Sequence, residues 1–220
     1  MVRHAIASED KRARREIILA AAGALFASGD GSLPSAAEIA TEAGLAKGTV
    51  YLYFQTKEEI FLALLSEGLL TLLNEIEFVF KSVSGGRAAK AAAFLATYVS
   101  YVDRRPELLR LDALSHGVLE KNLDSAKLDE FRLTFVARLA QTGIVVEQAL
   151  RLSGGLGAKL LMRTFAMTRG LWQSFQSHEE PKVTKADPTL ASMCTNFHNE
   201  LTEALMEYWR GALATHRAAK

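Results

Sequence analysis

The sequence has little of what secreted, membrane-spanning and strongly basic nucleic-acid-binding proteins contain. Cys194 is the single cysteine among 220 residues, which excludes a disulfide within the chain and is typical of a reducing compartment. No apolar run reaches the roughly 18 residues that a membrane span needs, and no signal peptide is evident. The formal net charge is only +1, so bulk charge alone indicates no nucleic-acid partner. We therefore expect a cytoplasmic protein whose binding surfaces depend on local clustering of residues.

Candidate catalytic and metal-binding groups are also scarce. Cys194 and His198 stand four residues apart on a predicted helix, so they could form a thiol–imidazole pair or half of a metal site. Their apolar neighbours Phe197 and Leu201 favour helix packing instead. The other histidines are scattered without ligand spacing, and residues 153–159 lack the spacing of a phosphate-binding loop. We expect no catalytic residue, no metal and no cofactor, with a small helical enzyme as an alternative.

Sustained period-two alternation is missing, which argues against β-sheet. Apolar residues instead recur every three or four positions, and the pattern predicts an all-α fold of about nine helices. With 49% hydrophobic and 23% charged residues, the composition is typical of a globular protein. We expect the first helix to begin at Ser8 or Glu9. The other predicted helices cover about 36–43, 46–53, 57–82, 87–104, 107–116, 124–152, 157–176 and 189–214.

One stretch in the first quarter of the chain has the signals of two short helices and a tight turn. Ser35 and Glu38 have the spacing of a capping box, so a helix should begin at residue 36. Gly44 follows its last apolar residue, where a left-handed residue is expected. A second helix should run from about Ala46 to Tyr53, and Thr56 provides a further cap. This pattern predicts a helix-turn-helix, whose second helix can enter the DNA major groove.

The second of these helices carries side chains suited to DNA. Val50 and Phe54 should face inward, which leaves the hydroxyls of Thr49 and Tyr53 one turn apart on one side. Lys57 lies beyond them at the start of the next helix, where phosphate is favoured. Two tyrosines and a leucine exposed on so short a helix would be costly without a partner. The surface therefore predicts a DNA interface, although ordinary packing of the tyrosines is an alternative.

The segment KGTVYLYFQTKEEIF, preceded by AAEIATEAGLA, resembles the DNA-binding domain of TetR-family transcriptional regulators over roughly residues 11–66. The resemblance implies that Ala46, Lys47 and Gly48 read bases, and that Tyr51 touches a phosphate or a thymine methyl. Ala37 stands where some members place a guanine-reading arginine, so DNA shape should contribute more. The predicted DNA contacts are Ser35, Ala46, Lys47, Gly48, Thr49, Tyr51, Leu52, Tyr53 and Lys57.

The rest of the chain is expected to provide dimerisation and a regulatory ligand site. We expect a DNA-binding domain at 1–56 and a helical regulatory domain at 57–220. The last two helices carry apolar stripes with Trp172 and Trp209, and could form a four-helix bundle with a second subunit; packing within one subunit is the alternative. Aromatic and methionine side chains between 87 and 180 should line a cavity for a small apolar or aromatic molecule. The candidates are Phe94, Tyr98, Phe131, Phe135, Met162, Phe165 and Trp172.

Together these features predict a ligand-responsive repressor. A homodimer would bind a palindromic double-stranded operator, because two recognition helices related by a two-fold axis read two half-sites. The small molecule would release it by favouring a spacing of the recognition helices that no longer fits. A helical adaptor without DNA binding is the other alternative, and it leaves the arrangement of Thr49, Tyr53 and Lys57 unexplained.

Overall fold

A computed structural model describes residues 2–175 and 196–216, and in these residues the regular structure is entirely helical. The all-α prediction is therefore confirmed. A π-helical turn, Ser115–Leu119, and a short segment, Glu120–Asn122, follow the sixth helix. Within the described ranges no helix is both long and apolar enough to cross a membrane. The helices are α1 Val2–Ser28, α2 Ala36–Glu42, α3 Lys47–Tyr51, α4 Lys57–Ser82, α5 Arg87–Asp103, α6 Pro106–Leu114, α7 Ser125–Leu150, α8 Leu156–Phe175 and α9 Phe197–Thr215.

Several helix ends differ from those that the sequence predicts. The first helix begins at Val2 instead of Ser8 or Glu9, because nothing in residues 2–7 breaks a helix. The recognition helix ends at Tyr51, two residues earlier than expected. The π-helical turn replaces the predicted end near residue 116, where Gly117 weakens the α-helical ladder. The predicted helix at 189–195 and the predicted loop at 178–188 lie outside the described residues.

The chain divides into two compact units. The first consists of the described residues up to Leu69 together with Pro106–Leu133, and the second consists of Leu70–Arg105 with the described residues from Thr134 onward. The expected domain boundary at residues 56 and 57 stays a prediction.

The core of the first unit forms where α1, α2, α3 and α4 bury their apolar stripes. Phe26 and Phe61 are fully buried, with ring centroids 5.6 Å apart. Arg110 of α6 covers the end of α1: its guanidinium carbon lies 5.2 Å from the Phe26 ring centroid and its Nη2 donates to the Ala27 carbonyl at 3.1 Å. The last carbonyls of α1 thus meet a cation, as the helix dipole favours.

The core of the second unit is a cluster of aromatic rings tied to α8 by two buried hydrogen bonds. Trp209 of α9 packs on Phe94 of α5 with ring centroids 4.8 Å apart, and its Nε1 donates to Thr164 Oγ1 at 3.0 Å. The Tyr98 hydroxyl and Thr168 Oγ1 are 2.9 Å apart. Since unpaired buried polar groups are costly, these bonds allow an indole and a phenol to lie in the core.

The backbones of α7 and α8 approach each other at a pair of glycines. A Cβ on Gly143 would lie 2.5 Å from the Ala158 nitrogen, and a Cβ on Gly157 would collide with the Gly143 carbonyl oxygen. The Gly157 N–H donates to Glu147 Oε1 at 2.9 Å, which satisfies a free amide in the first turn of α8. The glycine in the middle of α7 is therefore required by packing, although the sequence indicates only a local weakness.

Replacing Gly143 by alanine should destabilise the protein by about 1–3 kcal/mol, because the added methyl group must push α8 away from α7. Urea unfolding of both proteins measures the difference. Gly48→Ala on α3 is the control: nothing lies within 4 Å of its added Cβ. It should be neutral or slightly stabilising, because alanine favours the helix. Equal effects of the two changes would contradict the close approach.

Glu77 of α4 is the centre of a polar cluster in the second unit. Its Oε1 accepts from Thr142 Oγ1 at 2.8 Å and lies 3.1 Å from Arg138 Nη2, while its Oε2 lies 3.0 Å from Lys81 Nζ. Arg138 also donates to Asn74 Oδ1 at 2.8 Å. Burial opposes ionisation of Glu77, but the hydrogen bonds from Lys81 and Thr142 and the charge of Arg138 hold its pKa below the usual value. The ionised carboxylate thus links α4 to α7.

Glu77→Gln should lower the free energy of unfolding by about 1–3 kcal/mol at neutral pH, because Thr142 and Arg138 lose a charged acceptor. Since the folded pKa is depressed, this stability is present above the unfolded pKa of about 4.3 and is lost as pH falls through the folded value. Unfolding curves between neutral and about pH 3 measure the loss. Glu75→Gln, an exposed change on the same helix, is the control. A difference that did not shrink in acid would contradict this role.

Candidate functional site

The turn between α2 and α3 has the predicted geometry. Ser35 Oγ accepts from the Glu38 N–H at 3.3 Å, and the Glu38 carboxylate accepts from the Ser35 N–H at 2.8 Å. At the other end of α2, Gly44 has a φ of +66°, and the Leu45 N–H donates to the Ala40 carbonyl at 2.8 Å. This is the Schellman motif, in which a left-handed residue reverses the chain. The two short helices are therefore held at a fixed angle.

Packing decides which side of α3 is free. Val50 and Phe54 are buried, as the sequence predicts, and the guanidinium carbon of Arg15 lies 5.3 Å from the centroid of the Phe54 ring. Leu52 is 80% exposed and Tyr51 is 46% exposed. The end of α3 consequently presents an apolar and an aromatic side chain to solvent, on a helix too short to bury them by itself.

Ammonium and hydroxyl groups surround these exposed side chains. Lys47 Nζ lies 5.9 Å from the centroid of the Tyr51 ring, within the range of a cation–π contact. Thr49 and Tyr53 are half-buried, and each carries a hydroxyl group. Lys57 Nζ donates to the Leu33 carbonyl at 3.4 Å, a long bond that leaves most of the ammonium's donors for another acceptor. Ammonium and hydroxyl donors around an apolar centre can hold phosphates on both sides of a base contact.

The remaining predicted contacts are the cap residue and the start of α3. The Ser35 hydroxyl accepts from the Glu38 N–H and lies beside the Glu38 carboxylate. Hydrogen bonds from Ser35 also hold the pKa of the Glu38 carboxyl below its usual value, so this carboxylate stays charged near the cap. Ala46 and Gly48 are exposed, and a Cβ on Gly48 would meet nothing within 4 Å. The turn therefore allows close approach of a partner to the start of α3.

The start of α4 has the predicted cap at Thr56, although the reciprocal bond from the helix goes to a different residue. The Glu59 N–H donates to Thr56 Oγ1 at 3.3 Å, but the Glu59 carboxylate accepts from the Gln55 N–H at 3.0 Å. The same carboxylate lies 2.5 Å from Lys127 Nζ. The Glu59 carboxylate thus already lies at the first turn of α4. Phosphate binding there should therefore depend more on the ammonium group of Lys57 than on the free N–H groups of the helix.

A second candidate site is a groove of about 730 Å³ between α5 and α9 in the second unit. Its floor is apolar and includes Trp209, Leu95 and Val99, all of which are buried. Arg210 lies on its α9 side, and Asp103 and His198 lie together at one end. The volume is within the range of small-molecule sites.

None of the seven side chains predicted to bind a ligand lines this groove. Phe94 and Tyr98 pack ring against ring in the core, and the half-buried Phe165 and Phe135 extend this row of ring contacts. Trp172 packs on Phe197, with ring centroids 5.1 Å apart, while Met162 is 45% exposed and Phe131 belongs to the first unit. Their role as ligand contacts stays a prediction.

The sequence contains a pattern that indicates the groove, but it lies on the face of α5 away from the aromatic residues that were used to predict the ligand site. Ala88, Ala92 and Ala96 stand four residues apart on the exposed side of α5 and lie opposite Met206 and Arg210 of α9. A row of alanines on the face opposite the aromatic stripe produces a channel when a neighbouring helix carries long side chains.

The pairing of Cys194 with His198, the alternative to helix packing, involves Cys194, which lies outside the described residues. His198 Nδ1 lies 3.5 Å from Asp103 Oδ1, at one end of the groove. In the part of the chain that the structure describes, no three histidine, cysteine or acidic side chains cluster as metal ligands.

Comparison with sequence families agrees with this architecture. A profile described as "Bacterial regulatory proteins, tetR family" matches residues 18–64, and one described as "Tetracyclin repressor-like, C-terminal domain" matches residues 72–216. The chain therefore belongs to the TetR family of transcriptional regulators, and the resemblance of residues 11–66 to this family is confirmed. No protein with curated annotation matches the sequence.

Solved structures have the same fold at low sequence identity. A TetR-family transcription regulator from Marinobacter aquaeolei VT8 is 20% identical, with a TM-score of 0.56 over 92% of this chain and 96% of that one. The regulator FadR from Bacillus subtilis, in complex with stearoyl-CoA, is 18% identical, with a TM-score of 0.54 over 88% and 96%. The fatty acid degradation regulator FadR from Bacillus halodurans is 16% identical, with a TM-score of 0.58 over 90% and 98%. Such identities establish the fold alone.

Proposed function

We propose that this protein is a homodimeric repressor that binds a palindromic DNA operator and is released by a small apolar molecule. The observation that carries the proposal is the exposed Tyr51–Leu52 surface at the end of α3, held by a Schellman turn and flanked by Lys47 and Lys57. Major-groove edges offer acceptors for lysine and thymine methyl groups for an apolar side chain. Membership of the TetR family supports the same role.

The proposed DNA contacts fall into two groups. Ala46, Lys47, Gly48, Tyr51 and Leu52 would meet base edges, because they are exposed around the start and end of the recognition helix. Ser35, Thr49, Tyr53 and Lys57 would hold phosphates through hydroxyl and ammonium groups. With Ala37 on α2, only Lys47 in the first group carries a charged donor, so a share of the specificity should come from DNA shape.

A test of the whole proposal is selection of bound sequences from a random DNA pool by the purified protein. The expected result is a palindrome with a fixed half-site spacing, because a two-fold dimer holds its recognition helices at one separation. Selection of no sequence at low ionic strength, where phosphate contacts are strongest, would reject DNA binding. Half-sites without palindromy would reject the dimer and keep the helix-turn-helix.

Two lysine substitutions should have different effects on operator affinity. Lys57→Gln should weaken binding to all sequences alike and reduce the slope of log affinity against log salt by about one, since one phosphate contact is lost. Lys47→Ala should weaken the selected operator by about 1–3 kcal/mol and relax the preference at one position. Fluorescence anisotropy with the selected operator and a scrambled duplex, over a range of salt, measures both effects.

The control is Lys159→Gln, which removes an exposed positive charge from α8. It should leave operator affinity and salt slope unchanged. If all three variants reduced binding by the same factor, net charge would explain the effect and the assigned contacts would be wrong.

The proposed dimer interface is the outer side of α8 and α9. Met162 of α8 is 45% exposed, and the residues one and two turns beyond it, Ala166 and Gly170, are small and exposed. Small residues around a large apolar one let two helices approach closely. A pair of such helices from each subunit gives a four-helix bundle with two-fold symmetry.

Met162→Glu should weaken dimerisation at least about tenfold, because the symmetric interface would hold two carboxylates close together. Analytical ultracentrifugation measures the dissociation constant. Val136→Glu is the matched control, since Val136 is similarly exposed on α7; it should leave the dimer intact. A Met162→Glu protein that dimerises like the wild type would place the interface elsewhere.

Release requires an effector whose affinity differs between the operator-bound and free conformations. The apolar groove between α5 and α9 supports a small-molecule input in this unit. The stearoyl-CoA complex of the B. subtilis protein supports the same kind of input on this fold. Operator affinity measured with and without a bound effector tests the link.

A further inference from the structure

We propose that the groove between α5 and α9 is the effector site and that it takes an unbranched aliphatic carboxylate, with its carboxylate at Arg210. The regulatory consequence rests on the proposed function, whereas binding itself does not. Three features of the groove favour such a ligand: its length, the chemistry of its walls and the distribution of charge along it.

The groove is long because α5 and α9 run antiparallel and are joined at both ends. Arg87 Nη2 donates to the His216 carbonyl at 2.5 Å at one end, and His198 Nδ1 lies 3.5 Å from Asp103 Oδ1 at the other. From Ala88 to Asp103, at 1.5 Å per residue, α5 rises about 23 Å. A site of this length fits an extended chain better than a compact ring system.

The walls select an apolar body. The exposed alanines of α5, at positions 88, 92 and 96, stand one turn apart and keep the channel open along most of its length. Trp209, Leu95 and Val99 form an apolar floor. A polar body would lose its water here without gaining hydrogen bonds, which is unfavourable. An aliphatic chain has no hydrogen bonds to water to lose, and burial of each methylene group makes binding more favourable.

Charge decides which end group the ligand carries. At one end His198 Nδ1 already faces the Asp103 carboxylate, so that end does not favour an anionic head group. Arg210 lies on the α9 wall towards the opposite end, and no ion pair to it is present among the described residues. A guanidinium binds a carboxylate with two parallel hydrogen bonds. An anionic head at Arg210 thus gives this guanidinium a charged partner.

The first measurement is isothermal titration of the full-length protein with octanoate, decanoate, dodecanoate and tetradecanoate, and with the corresponding alcohols. Affinity should rise about fourfold per methylene, the value that about 0.8 kcal/mol per buried CH₂ gives, until the groove is filled. Each acid should bind at least about tenfold more tightly than its alcohol, because only the acid pairs with Arg210. Equal binding of acids and alcohols, or no binding of any acid, would overturn the proposal.

Variants locate the site. Ala96→Phe fills the channel from an exposed position and should lower dodecanoate affinity at least about tenfold, with Ala92→Phe as a second version if the first does not fold. Ala89→Phe, exposed on the same helix but outside the groove, is the matched control and should bind normally. Arg210→Gln should weaken the acid to the level of the alcohol and leave the alcohol unchanged. Equal losses in the groove and control variants would overturn the assignment.

The oligomeric state and the affinity for DNA distinguish the groove assignment from the proposed dimer interface and from the proposed repressor function. If Ala96→Phe made the protein monomeric, the groove would be part of a subunit interface and the ligand proposal would be wrong. If the wild-type protein bound dodecanoate as described but no DNA, the groove assignment would stand and the proposed repressor function would fail. If it bound both, dodecanoate should lower operator affinity in the wild type and not in Ala96→Phe.

Discussion

The burial of Trp209 is the constraint on which the second unit depends most. This side chain is 1% exposed, packs on Phe94 and Phe80, and donates its indole N–H to Thr164. A buried indole needs such a partner, so the hydrogen bond fixes the register of α9 against α8. The same residue forms the floor of the groove on its other side. One side chain thus belongs both to the core and to the candidate ligand site, and packing around it positions the rest of α9.

The first unit is organised on a different principle, which is local hydrogen bonding. The cap at Ser35, the Schellman turn at Gly44 and the N-terminal bonds of α4 are all formed by residues within five positions of each other. Helices as short as α2 and α3 are marginal by themselves. Caps at their ends and the burial of Val50 and Phe54 hold them in place, and this rigidity leaves Tyr51 and Leu52 on the surface. A binding surface on a rigid element loses little conformational entropy when it meets its partner.

Where the sequence is locally explicit, its predictions are confirmed. The capping box at Ser35, the left-handed Gly44 and the inward orientation of Val50 and Phe54 all appear in the structure. They depend on spacing over one or two turns, which a sequence displays directly. The first residue of α1 was not predicted, because it depends on the absence of a helix-breaking residue. The π-helical turn after α6 was not predicted either, because it depends on how a weak helix widens under packing.

The candidate ligand site shows the difference between what the sequence and what the tertiary structure determines. The sequence by itself determined that the chain is all-α, that a helix-turn-helix lies near its beginning, and which side chains of α3 are free. It could not distinguish an aromatic side chain that packs on another ring, such as Phe94 on Trp209, from one that lines a cavity, since both occupy the same apolar stripe. Only the tertiary structure decided that the opening lies on the alanine face of α5. The groove forms between two helices that are distant in the chain, as the contact of Asp103 with His198 shows, and no local pattern reports such a contact.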